Sequence, residues 1–125
     1  MPIDHKQPYD DDNVFARILR GELPGEVVTE SEHSVAIHDI NPLAPVHVLV
    51  IPRGRYVSWD DFAANASDSE IADLVRTAGE AARLTGADGN GYRLLANAGR
   101  NAGQEVAHLH LHLFGGAPLG PMLAR

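Results

Sequence analysis

The sequence predicts an α+β domain with a mostly antiparallel sheet of about five strands, one long helix and one short helix near the N-terminus. Three features carry this expectation. Short β-branched runs are punctuated by Gly, Pro, Asn and Asp. One long stretch has helical spacing behind a capping signal. Near the C-terminus, histidines alternate with leucines. The 125 residues suffice for one compact core, so residues 1–125 are expected to form a single domain.

Residues 1–12 have no periodic pattern and carry Asp10, Asp11 and Asp12 in succession, which suggests a flexible arm. Asp12 or Asn13 can cap a short helix with Val14, Phe15, Ile18 and Leu19 on one face, ended by Gly21. Glu26 to Glu30 and Ser34 to His38 read as a hairpin around Ser31-Glu32-His33. Val46 to Ile51 is nearly all apolar and fits a central strand buried on both faces, stopped by Pro52, with His47 as its odd polar residue. Ser67-Asp68-Ser69-Glu70 fits a capping box, and Ile71, Leu74, Val75, Ala78, Ala82 and Leu84 trace the long helix towards Gly86. A Gly-rich turn leads to a strand from Tyr92 to Asn97, and a loop through Gln104 leads to a last strand from Val106 to Phe114. Residues 117–125 hold too much Pro and Gly for a helix, yet too much apolar surface to lie wholly in water.

Composition excludes several function classes. Without cysteine there is no disulfide framework, thiolate zinc site or cysteine nucleophile. A net charge of -7 argues against a broad basic face for nucleic acid, and any anionic ligand needs a local site that overcomes the global field. The start is polar and acidic, and no apolar run approaches the length of a membrane span, so a soluble cytoplasmic protein is the default.

On a strand, His108, His110 and His112 project from one face while Leu109, Leu111 and Leu113 project from the other towards a core. Neighbouring rings are then about 6.7 Å apart along the strand and the outer two roughly 13 Å. A metal site would therefore use two of them plus His47 or a carboxylate. Phosphorus chemistry is the other reading: a neutral imidazole attacks while neighbours donate hydrogen bonds to the phosphoryl oxygens. The loop from Asn97 to Gln104 offers suitable donors, because Gly99 and Gly103 permit close approach of backbone N–H groups and Asn97 and Gln104 add carboxamides. Spacing alone does not choose between the two.

The run from His108 to Phe114, HLHLHLF, has the form His-φ-His-φ-His-φ-φ with φ apolar, and resembles the signature of the histidine-triad (HIT) superfamily. The resemblance extends through Phe15 to Pro24, His38 to Pro42, His47 to Pro52, Asn97 to Gly99 and Gly103 to Val106. Gly115-Gly116 and the ending Pro118 to Ala124 look like the bacterial Hint branch of purine nucleoside phosphoramidases. The diadenosine-polyphosphate hydrolase branch usually continues with Pro-Arg. The galactose-1-phosphate uridylyltransferase branch has Gln where this chain keeps His112.

The resemblance implies a HIT-like fold whose sheet continues across a homodimer, with the C-terminal tail near the partner's site. It implies hydrolysis of purine nucleoside 5′-phosphoramidates, conjugates of AMP or GMP, through a nucleotidyl-histidine on His110. His112 would contact the phosphate, with His108 and His47 in support. Asp39 matches a ribose-binding position, while Phe15, Ile18, Ile37 and Ile40 match an apolar purine cleft. His38, Asn97, Gly103, Gln104, Glu105 and Val106 complete the implied nucleotide contacts. No cofactor, metal, nucleic acid or membrane is called for. Two departures stand out: Glu105 replaces the small hydroxyl residue of many eukaryotic Hint proteins, and Arg53-Gly-Arg55-Tyr56 stands where Lys and a further His are common. A nucleotide sensor with slow or vestigial hydrolysis is the alternative function, and a His-ligated metalloenzyme the less favoured one.

Overall fold

The computed structural model describes residues 2–124. Its elements run α1 (Val14–Leu19), β1 (Val27–Glu30), β2 (Ser34–His38), β3 (Val46–Pro52), α2 (Trp59–Asn65), α3 (Asp68–Leu84), β4 (Tyr92–Ala96) and β5 (Leu111–Gly115), with a single 3-10 turn at Ala87–Gly89. The five strands form one sheet in the order β1-β2-β3-β5-β4, and every neighbouring pair is antiparallel.

Local chemistry sets the helix starts. Asn13 accepts the Ala16 N–H at 2.9 Å and opens α1. The capping box forms as expected, Ser67 accepting from the Glu70 backbone and Glu70 from the Ser67 backbone. Helix α2 was not anticipated; Ser58 caps it, and Asp60 and Asp61 sit in its first turn.

The sheet has two working faces. Val48, Val50, Leu111 and Leu113 point to one side, where Phe62 of α2 and Leu74, Ala78, Ala81 and Ala82 of α3 close the main core. Small residues on α3 let it lie close against β1, β2 and β3. The expected apolar stripe on this helix is rotated: Leu74, Ala78 and Ala82 face the sheet together with Thr77 and Ala81, whereas Val75 and Leu84 are exposed and Ile71 is at the surface. The other face carries a second core of Phe15, Val35, Ile37, Leu49 and Ile51 under α1. Histidines line this face beside it.

Two strand boundaries differ from expectation. Strand β5 starts at Leu111, because pairing with β3 ends at Val50 and residues 106–110 have no strand beside them. They are held singly, Leu109 N–H donating to the Tyr56 carbonyl at 2.8 Å. Pro52 ends β3 from within, at a place where only β2 lies alongside.

Residues 2–12, expected as a flexible arm, run along the molecule with specific contacts, the first being Ile3 N–H to the Gln104 carbonyl at 2.7 Å. At the other end the Arg93 guanidinium donates to the carbonyls of Gly120 at 3.0 Å and Pro121 at 3.4 Å, tying the tail to β4.

Gly116 adopts φ +87°, and a Cβ there would lie 2.8 Å from Pro45 Cβ. Gly86 has φ +77° at the end of α3 with open space around it. Gly116→Ala is expected to cost roughly 2–4 kcal/mol and Gly86→Ala about 1 kcal/mol. Urea unfolding measures both, and equal losses would show that the Pro45 contact adds nothing.

Candidate active site

Strand β5 and the segment before it bring the histidine run onto the α1 side of the sheet, where it meets β3. In the β3–β5 register Leu49 faces His112 and His47 faces Phe114. The rings of His110 and His112 are 5.0 Å apart, those of His47 and His112 5.3 Å. A cavity of about 270 Å³ opens beside them, lined by Phe15, Asp39, Leu49, Asn97, Gly103, Gln104, Glu105, Val106, His110 and His112.

Hydrogen bonds assign the tautomers. His110 Nδ1 lies 2.8 Å from the carbonyl of His108, which can only accept, so Nδ1 carries the proton and Nε2 keeps a lone pair. His47 Nδ1 accepts the Leu43 N–H at 3.1 Å, so its Nε2–H is the donor to His112 Nδ1 at 3.0 Å. That leaves Nε2–H of His112 as a free donor. His108 donates Nε2–H to the Pro52 carbonyl at 2.8 Å and is fully buried.

These assignments need neutral rings, and the surroundings enforce neutrality. Burial pushes His108 down to about 4, against the pull of the Pro52 carbonyl. Burial and then the neighbouring His110 and His47 push His112 down to about 4. Burial likewise lowers His110, opposed by its bond to His108 and by Asp39, and lowers His47, opposed by Asp39.

Asp39 sits between two roles. Oδ1 accepts the Asn41 N–H at 2.8 Å, the turn arrangement that its place before Asn41-Pro42 suggests, and Oδ2 lies 3.5 Å from His47 Nε2 while the residue also lines the cavity. Asp39, His47 and His112 offer ligand atoms within 4.8 Å of one another, the one such cluster among the described residues. Metal binding at His47 Nε2 would move that ring's proton to Nδ1, facing the Leu43 N–H donor to donor. The cluster is wired as a hydrogen-bond relay.

The loop before the run is used differently from the sequence expectation. Gly103 N–H donates to the Arg100 carbonyl at 3.0 Å and Gly99 N–H to Gln104 Oε1 at 3.0 Å. The Gln104 carboxamide donates both hydrogens, to the carbonyls of Val57 at 2.7 Å and Val106 at 3.0 Å. These groups hold the loop's shape. The N–H groups of Glu105 and Val106 and the Asn97 carboxamide have no hydrogen-bond partner among the described residues, and all three residues line the cavity.

Not every expected contact reaches the cavity. Phe15 packs on His110, ring centroids 4.7 Å apart, and lines it. Ile18 and Ile37 belong to the core beneath, while His38 and Ile40 are exposed, Ile40 at 85%. Leu49 was missed, although period-two alternation from His47 along β3 would have found it.

Residues 20–119 match the model of the HIT domain family. The chain belongs to this family. It is 59% identical over 117 residues to a 13.2 kDa HIT-like protein of Azospirillum brasilense, covering 94% of this chain and 96% of that one. It is 39% identical over 114 residues to the purine nucleoside phosphoramidase of Escherichia coli, covering 91% and 95%. A solved HIT family hydrolase from Clostridium thermocellum superposes with a TM-score of 0.83 at 40% identity, covering 92% of this chain and 99% of that one. The HIT fold expected from the histidine run is thus the fold of this chain. No helix among its described residues is long and apolar enough to cross a membrane.

Since the buried rings titrate below their ordinary value of 6.5, an unfolded chain takes up protons first as the pH falls. The stability they contribute is full above pH 6.5 and is lost between there and about pH 4. Nuclear magnetic resonance titration should give midpoints near 4 for His108 and His112. A midpoint at or above 6.5 for His108 would contradict the neutral wiring.

Proposed function

We infer that the protein hydrolyses the P–N bond of purine nucleoside 5′-phosphoramidates, and the P–O bond to the acyl group in acyl-nucleotides, releasing the nucleoside monophosphate. The observation that carries this reading is the unprotonated Nε2 of His110, set by the 2.8 Å bond from Nδ1 to the His108 carbonyl and placed in a cavity beside the His112 donor. The hydrolase and phosphoramidase relatives support the same class of reaction.

In the first step the Nε2 lone pair of His110 bonds to phosphorus and the P–N bond breaks; the amine leaves with the bonding pair and takes a proton from solvent. Positive charge developing on the ring is shared with the His108 carbonyl through Nδ1–H. In the second step water attacks phosphorus and gives up a proton to solvent, the Nε2–P bond breaks, and the ring recovers its lone pair. His112 Nε2–H and the N–H groups of Glu105 and Val106 suit the phosphoryl oxygens, Phe15 and Leu49 the face of the base, and Asp39 the ribose hydroxyls. His47 holds His112 in its donor form, and His108 holds His110. The chemistry requires no metal.

His110→Ala is expected to lower turnover of adenosine 5′-phosphoramidate by roughly 10³-fold or more while nucleotide binding persists. Wild type quenched in alkaline denaturant, where a phosphoryl-imidazole survives, should carry a nucleotide mass on the peptide holding His110. Turnover by the variant at the wild-type rate would refute the assignment. Asp39→Asn should raise KM about tenfold with a smaller change in kcat.

A homodimer is part of the same reading. Strand β4 is a free edge, and beside it Trp59, Ile71, Val75 and Leu94 frame an apolar hollow of about 460 Å³. A second copy pairing β4 with β4 would satisfy the edge and fill the hollow. Leu94→Lys should convert the dimer to a monomer in light scattering; a wild type that is monomeric at micromolar concentration would overturn the pairing.

A further inference from the structure

The N-terminal arm and the buried ring of His108 stand outside the cavity, and they meet. Tyr9 places its hydroxyl 2.6 Å from His108 Nδ1. Since Nε2–H of that neutral ring is committed to the Pro52 carbonyl, Nδ1 is the acceptor and the hydroxyl the donor. The Tyr9 ring stands edge-on to His108, centroids 5.6 Å apart, and the Arg55 guanidinium lies over it at 5.0 Å. Two bonds of 2.9 and 3.0 Å from Arg55 to Asp11 fix that guanidinium. Arg55, one of the departures from the commoner family pattern, thus clamps the arm. Nearer the start, His5 lies so tightly on Gly99 that a Cβ there would overlap its ring.

From His108, two routes lead to His110. Its main-chain carbonyl accepts Nδ1–H of His110 at 2.8 Å. Phe15 packs on both rings, centroids 6.4 Å from His108 and 4.7 Å from His110.

We propose that Tyr9 is a positioning residue: its hydroxyl, bonded to His108 Nδ1, fixes the ring and hence the carbonyl that holds His110 in its attacking tautomer. This rests on the reading of His110 as the nucleophile. Tyr9 does not line the cavity. Without the hydroxyl, a fully buried acceptor loses its donor, and the ring has no second tautomer to adopt. Moving the proton to Nδ1 would set the Nε2 lone pair against the Pro52 carbonyl oxygen. The ring must turn or admit water, and either change displaces the support under His110.

The test compares wild type, Tyr9→Phe and His110→Ala on adenosine 5′-phosphoramidate, together with proton–nitrogen correlation spectra of the imidazoles. Tyr9→Phe is expected to lower kcat about tenfold with KM within about twofold, and to shift the nitrogen resonances of His108 and His110. A wild-type kcat, or a loss of kcat with those resonances unmoved, overturns the proposal. Should Tyr9→Phe not fold, the wild-type spectra decide: His108 must appear as the Nε2–H tautomer with a hydrogen-bonded Nδ1, and an Nδ1–H form overturns it. The two readings fail differently. Full turnover by His110→Ala removes the nucleophile, whereas an inactive His110→Ala beside an unaltered Tyr9→Phe removes only the role of Tyr9.

Discussion

Four imidazoles share one poorly solvated corner of the sheet, and in each of them burial acts against the charged form. A neutral imidazole has one donor and one acceptor, so its neighbours dictate its polarity. The Leu43 N–H points into His47, which points into His112; Tyr9 points into His108, which points into the Pro52 carbonyl; His110 points into the carbonyl of His108. Reversing one ring would leave donor facing donor or acceptor facing acceptor nearby. The same pattern leaves a lone pair on His110 next to a hydrogen on His112, the two functions that the proposed attack at phosphorus would use.

The fold supplies this wiring through its main chain as much as its side chains. Because β5 begins only at Leu111, His112 is held by the sheet ladder while His108 and His110 lie beyond it. Outside the ladder, the carbonyl of His108 is available to a side chain, and so is that of Pro52 at the end of β3. A longer strand would have spent such groups on pairing. The Leu residues between the histidines anchor the segment in the main core, so the irregular backbone is fixed without a ladder.

Much of this was legible in the sequence, for physical reasons that differ from element to element. The Ser67 capping box, the Asn13 cap and the apolar run after Val46 are local signals, and each became the expected element. The histidine run was legible in part: period two sets His110 and His112 beside the cavity, whereas His108 lies in the bend before β5 with its ring fully buried outside it. Helix α2 was missed because it is short and its large apolar residues, Trp59 and Phe62, are too few to show a period. The contacts of the arm were not legible because they are single contacts to residues distant in sequence, Tyr9 to His108 above all. The role of the loop before the triad also needed coordinates. Glycines there suggested N–H groups facing an anion, but several of those groups are consumed in closing the loop, and the free ones follow it at Glu105 and Val106.

Charge is the remaining constraint on the chemistry. The chain carries -7 overall, and the residues lining the cavity include Asp39 and Glu105 but no Lys or Arg. A phosphoryl group would therefore meet neutral donors, in a field that opposes anions. Such donors gain most where negative charge builds up on the phosphoryl oxygens during attack, and they hold a resting anion less firmly than a guanidinium would. On the proposed reaction the released monophosphate is more negative than the phosphoramidate that entered. The field that hinders binding also favours its departure, leaving the apolar cleft and Asp39 to supply affinity for substrate.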